Sequence, residues 1–134
     1  MKSPVWIEKR DVLTIHERLL ALHGGISGLR DEGLLESALA RPRQHLAYDK
    51  SADVPALAAY YASGIVQNHP FVDGNKRTGF VIGVLFLELN GFRFTAMEEE
   101  VVEAVFALAA GALKEDGFAE FMRSNSTHRK RRSQ

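Results

Sequence analysis

His69-Pro70-Phe71-Val72-Asp73-Gly74-Asn75-Lys76-Arg77-Thr78 places an imidazole, a carboxylate, a carboxamide, an ammonium and a guanidinium within nine residues. An apolar segment precedes it, with Leu57, Ala58, Tyr60, Tyr61, Ile65 and Val66. A longer one, Gly79 to Leu89, follows. Both flanks read as buried helices, since they are apolar on several faces. Short links between helices make the neighbours antiparallel, so the polar island sits at one end of a buried helical hairpin.

Working outward, the remaining segments are helical too. Val5 to His23 is predicted as an amphipathic helix, with Val12, Ile15, Leu19 and Leu22 at helical spacing. Gly24-Gly25 ends it. Asp31 caps a second helix bearing Leu34, Leu35, Ala38 and Leu39, which Pro42 limits at Arg41. Arg43 to Lys50 carries no clear pattern. Asp53 caps the third helix, with Pro55 in its first turn. The fourth runs from Asn75 to Asn90. Phe92-Arg93-Phe94 is a short extended link. Thr95 with Glu98 forms a capping-box pattern opening a fifth helix, with Val101, Val102, Val105, Phe106, Leu108 and Ala109 inward. Glu115 to Arg123 is the sixth. No repeat and no convincing strand pair is visible. The fold class is all-α: a compact bundle of about six helices around the central hairpin.

At 134 residues the chain fits one domain. It has no cysteine, which excludes a disulfide framework and cysteine metal sites and fits a reducing, cytoplasmic setting. Met1-Lys2-Ser3-Pro4 leads into a charged helix, so no signal peptide is expected. The apolar run Gly79 to Leu87 is too short to span a bilayer, and no membrane partner is expected. The 17 basic and 17 acidic residues cancel, but Arg129, Lys130, Arg131 and Arg132 lie in the last six positions. The expected organisation is a domain over 1–124 and a basic, disordered tail over 125–134. Such a tail can touch nucleic acid or an acidic partner, although direct nucleic-acid binding is not the expected role.

The island has the chemistry of a phosphate site. Gly74-Asn75-Lys76-Arg77 occupies the first turn of the fourth helix, where free N–H groups and the positive dipole end favour anions. Gly74 permits a tight turn. Arg77 offers a planar fork for two phosphate oxygens, and Lys76 a point charge. Asp73 can cap the helix or hold a magnesium ion that bridges phosphates. His69 can be a helix C-cap or can take a proton from an attacking hydroxyl. Phe71 is expected to point inward and pin the loop. The Gly-x-x-x-x-Gly-Lys-Ser/Thr pattern is absent, so this is not a Walker-type loop.

His69 to Arg77 resembles the signature of the Fic/Doc superfamily, His-x-Phe-x-(Asp/Glu)-(Gly/Ala)-Asn-(Gly/Lys)-Arg. Gly24 to Asp31, Gly33 to Pro42 and Leu87 to Gly91 resemble its compact Doc branch, a class of toxins in toxin–antitoxin systems. The resemblance covers most of residues 5–123. It implies that His69 is the base, Asp73 the magnesium ligand, and Gly74, Asn75, Lys76 and Arg77 the phosphate holders. Fic enzymes carry glycine between the asparagine and the arginine and transfer AMP from ATP to a protein hydroxyl. This chain has Lys76 there, as Doc toxins do. By that resemblance the γ-phosphate of ATP goes to a threonine of elongation factor Tu, which arrests translation. Gly74 matches Fic enzymes, whereas Doc toxins carry alanine there, so AMP transfer remains the alternative. A degenerate, non-catalytic protein that binds nucleotide or antitoxin is the second alternative. The inhibitory string (Ser/Thr)-x-x-x-Glu-(Gly/Asn) is absent, so restraint by a separate Phd-type antitoxin is expected.

Overall fold

The centre of the molecule is a helix built largely from small residues. In the computed structural model, which describes residues 3–129, α3 (Val54–Asn68) buries Leu57, Ala58, Ala59, Tyr61, Ala62, Ser63, Gly64, Ile65 and Val66. Small side chains on several faces let helices pack all around it. The partners are α2 (Glu32–Tyr48), α4 (Asn75–Leu89) and α6 (Glu115–Ser124). α1 (Lys9–His23) and α5 (Glu98–Ala109) complete six helices, so the chain is mostly helical as the periodicity predicts.

α3 starts at Asp53, whose Oδ1 accepts the Ala56 N–H at 3.0 Å, and it carries Pro55 in its first turn. It stops at His69, which takes a left-handed conformation (φ 56°, ψ 52°) just before Pro70. α4 returns antiparallel. A Cβ on Gly79 would lie 2.8 Å from Val66 Cγ2 and 2.9 Å from the Ala62 carbonyl oxygen. A Cβ on Gly83, one turn on, would lie 3.2 Å from the Ala58 carbonyl oxygen. The hairpin is therefore closed backbone to backbone, which places the 69–74 link at one fixed end.

Several boundaries differ from those read in the sequence. α1 begins at Lys9 rather than Val5, because Glu8 and Asp11 form a capping box there. The preceding residues are extended, and Ile7 is buried with its N–H donating to the Tyr61 hydroxyl at 3.1 Å. α2 continues through Pro42 to Tyr48. Pro42 is buried, and beyond it the His45 ring packs on Tyr60 at 4.2 Å, so tertiary packing outweighs the local cost of the proline. α5 opens at Glu98, where Glu100 Oε1 accepts the Met97 N–H at 3.2 Å. Thr95 instead binds the Asn125 carbonyl through its N–H at 2.7 Å and its hydroxyl at 3.0 Å. Val102 and Phe106 are exposed rather than inward, as is Leu22 on α1.

A strand pair is present as well. β1 (Phe92–Phe94) pairs antiparallel with β2 (Ser126–His128). Residues 126–128 thus extend the ordered fold into the segment expected to be a loose tail. Lys130, Arg131 and Arg132 lie outside the described residues. Among the described residues no helix is long and apolar enough to cross a membrane.

Candidate active site

The motif loop is fixed from within. Phe71 is 1 % exposed and points into the core, as expected. Asn75, 3 % exposed, closes the loop on it. Its Oδ1 accepts the Phe71 N–H at 2.9 Å and its Nδ2 donates to the Phe71 carbonyl at 2.9 Å. The Asn75 side chain is consequently a loop clamp. Its backbone N–H, which has no acceptor among the described residues, is the group it can offer as a phosphate holder.

A second loop grips the first from outside. Val72 N–H donates to the Gly28 carbonyl at 3.0 Å, and the N–H groups of Arg30 and Asp31 both donate to the Pro70 carbonyl. The Arg30 guanidinium reaches the carbonyls of His69 (2.7 Å) and Asn68 (3.0 Å) at the end of α3. A cation at a helix C-terminus offsets the negative dipole end and satisfies orphan carbonyls. Gly24 to Arg30 is thus the outer half of the site's frame.

The Asp73 carboxylate does not cap α4. Its Oδ2 accepts the Ile26 N–H at 3.0 Å and its Oδ1 accepts the Gly74 N–H at 2.9 Å. These two backbone bonds hold its pKa below the usual carboxylate value, with smaller help from His16 and Lys76. Gly25 has φ 130°, which side chains rarely adopt, and a Cβ there would also lie 2.8 Å from Leu20 Cδ2 and 3.1 Å from Asp73 Oδ2, so glycine is favoured beside the carboxylate. Each oxygen spends one acceptor site on the backbone and keeps another, so the group fits a magnesium ion. No cluster of three His, Asp or Glu residues forms a metal site among the described residues. A magnesium ion held by Asp73 would need phosphate and water as its other ligands, the usual situation for magnesium with nucleotides.

α4 begins without a cap. Gly74 stands at its N-cap in the left-handed region (φ 82°, ψ 16°) and supplies no side-chain acceptor. The Thr78 N–H is taken by the Gly74 carbonyl at 2.9 Å. The N–H groups of Asn75, Lys76 and Arg77 have no acceptor among the described residues. Arg77 is exposed and forms no ion pair there. Lys76 Nζ lies 5.6 Å from the centroid of the Phe106 ring.

A cleft of about 620 Å³ gathers these groups: His69, Asp73, Gly74, Asn75, Lys76 and Arg77 all line it. All six residues singled out in the sequence therefore meet at one place. Phe80, Val101, Val105 and Phe106 give it an apolar wall, and Glu98 stands among the lining residues. His69 is exposed, with its backbone fixed by Ile65 and Arg30. Another cleft, of about 560 Å³, contains none of the motif residues, and its Arg41 is already paired with Glu115 at 2.6 Å.

Sequence reading missed His16 and Arg30. His16 is 2 % exposed on α1, and its Nε2 lies 2.8 Å from the Asp73 carbonyl oxygen. Its ring stacks on Phe71 with centroids 3.7 Å apart and planes 9° apart. A signal existed: His16 follows Val12 by four residues and so shares its buried face.

The sequence profile of the Fic/DOC family matches residues 6–87. Among curated proteins, the chain is 26 % identical over 117 residues to the protein kinase doc of Escherichia phage P1, covering 87 % of this chain and 92 % of that protein. It is 38 % identical over 94 residues to Toxin Doc of Mycolicibacterium smegmatis, covering 68 % of each. Among solved structures it is similar to the N-terminal Fic domain of a VirB-translocated Bep effector protein from Bartonella quintana, solved with bound ADP. That match has a TM-score of 0.48 at 17 % identity, over 72 % of this chain and 49 % of the other, so the chain spans about half its length.

Proposed function

The chain belongs to the Fic/DOC family, and from that premise we propose that it is a toxin that transfers the γ-phosphate of ATP to a protein hydroxyl. One observation carries the reading. Three acceptor-free N–H groups at the start of α4 share a cleft with two cations, a carboxylate and an imidazole. That set supplies an anion cradle, neutralising charge and a proton acceptor together.

In the proposed reaction the phosphate oxygens rest on the N–H groups of Asn75, Lys76 and Arg77, with the side chains of Lys76 and Arg77 adding positive charge. Asp73 holds a magnesium ion, which when bound offsets charge on the phosphates. The target hydroxyl oxygen forms a bond to the γ-phosphorus. Its proton passes to the His69 ring. The bond from the γ-phosphorus to the β–γ bridging oxygen breaks, and its electron pair leaves with ADP. The apolar wall of the cleft suits the nucleoside and helps to exclude water. The names of two relatives, protein kinase doc and Toxin Doc, favour phosphate as the transferred group and toxicity as the outcome. By resemblance, the target is elongation factor Tu and the restraining partner a Phd-type antitoxin.

The test is transfer to elongation factor Tu from ATP labelled separately at the α and γ positions. Label from γ alone is expected, with His69→Ala slower by about 100-fold or more. Label from α alone would replace this reading by AMP transfer. No transfer from either position to this target, with ATP binding retained, would point to the non-catalytic alternative.

A further inference from the structure

We propose that His16 is a positioning residue for the motif loop, acting on Asp73 through the peptide unit that joins Asp73 to Gly74. The atoms on that path are all in place. His16 Nε2 lies 2.8 Å from the Asp73 carbonyl oxygen. A carbonyl only accepts, so Nε2 carries the proton. On the opposite edge of the same peptide, the Gly74 N–H donates to Asp73 Oδ1 at 2.9 Å. The peptide is planar, so fixing the direction of its C=O fixes the direction of its N–H. Accepting a bond at the oxygen also strengthens the N–H as a donor. His16 therefore sets where Oδ1 is held and where α4 begins.

Stacking alone does not explain a histidine at this position. The ring covers Phe71 at 3.7 Å and also backs Gly74, whose notional Cβ would lie 3.5 Å from Nε2. A phenylalanine would serve both contacts without burying ring nitrogens. Burying an imidazole in a site only 2 % exposed costs free energy unless its polar atoms are used. Here the use is a single bond, directed at the backbone of the proposed metal ligand.

The activity arm of the test rests on the proposed phosphate transfer, whereas the spectroscopic arm does not. His16→Phe keeps a stacking ring and removes the donor. His16→Gln removes the ring and returns an amide N–H at about the position of Nε2. In the full chain without nucleotide or metal, the Gly74 amide proton resonance is expected to move upfield in His16→Phe, because its bond to Oδ1 loosens. In His16→Gln it returns toward the wild-type position. Transfer is expected to fall about tenfold in His16→Phe and to recover in part in His16→Gln, as for other residues that orient a ligand. An unmoved Gly74 resonance in His16→Phe overturns the proposal, even if transfer falls. If His16→Phe does not fold, His16→Gln decides: a Gly74 resonance far from the wild-type position overturns the proposal. If the wild type transfers no label at all, the reading under Proposed function fails and the Gly74 resonance still decides the role of His16.

Discussion

Asn75 binds Phe71 with both ends of its carboxamide, each at 2.9 Å, and this one pair closes the loop between α3 and α4. Both residues are buried, so removing the amide leaves the N–H and C=O of Phe71 without partners in a dry site. Asn75→Ala is expected to cost about 1–3 kcal/mol of stability. Asn75→Asp is expected to cost more, because it turns a donor into an anionic acceptor facing the Phe71 carbonyl. Urea denaturation measures both. An Asn75→Ala protein of wild-type stability that no longer binds ATP would show that the side chain serves the ligand instead.

Two glycines in α4 answer differently to a methyl group. At Gly79 an added Cβ meets Val66 Cγ2 at 2.8 Å and the Ala62 carbonyl at 2.9 Å, and a helix backbone cannot retreat. Gly79→Ala is expected to destabilise by about 1–3 kcal/mol, the usual range for overpacking. At Gly74 the nearest atom to an added Cβ is His16 Nε2 at 3.5 Å, so there is room. The cost of Gly74→Ala is the left-handed backbone alone, about 1 kcal/mol. Thermal denaturation should rank Gly79→Ala below Gly74→Ala. The reverse order would mean that the α3–α4 contact is looser than these distances.

What the sequence discloses here follows from how local each feature is. The hairpin and its polar end are legible because helical periodicity is local and the six candidate residues fall within one nine-residue stretch, 69–77. The direction of the Asn75 amide is not legible, since the same residue type at the same spacing suits a ligand or the Phe71 backbone equally well. The β1–β2 pair escapes notice because each strand has three residues and the two lie far apart in the chain. Pro42 misleads because local propensity yields to the packing of residues 43–48. His16 lies in plain helical register with Val12, but a polar residue on an apolar stripe does not announce its partner. That partner, the Asp73 carbonyl, is 57 residues away.

Acid should loosen the seam between α3 and α6 in a defined direction. Arg123 binds Asp53 through Nε and Nη2, both at 2.8 Å, while Asp53 Oδ1 also caps α3. The guanidinium, with the Ala56 N–H, holds the Asp53 carboxyl below its ordinary value, and the arginine is raised in turn. A carboxyl whose folded pKa is depressed stabilises fully above its unfolded value. That contribution is lost as pH falls from near that value through the folded one. The urea midpoint of the wild type should therefore drop more steeply than that of Asp53→Asn once pH falls below about 4. Parallel curves for the two proteins down to the acid limit would show that this ion pair contributes nothing to the fold.

Under the proposed reading, Lys76 divides phosphate transfer from AMP transfer. Its ammonium lies against Phe106 on the far wall of the cleft, so the side chain occupies space over the start of α4. Lys76→Gly clears that space and removes a cation from the cradle, at about 1 kcal/mol of helix stability. Lys76→Ala removes the same ammonium and keeps the helix. Both are expected to lower γ-label transfer by about 100-fold, the scale for losing one group that stabilises a developing anion. Only Lys76→Gly has no side chain to obstruct a second phosphate, so α-label transfer is expected to emerge there and not in Lys76→Ala. Scintillation counting of the target, with mass spectrometry to separate one added phosphate from one AMP, reads both results. If γ-label transfer stays at the wild-type rate in both variants, Lys76 does not hold phosphate, and the choice between phosphate and AMP transfer must lie in other residues.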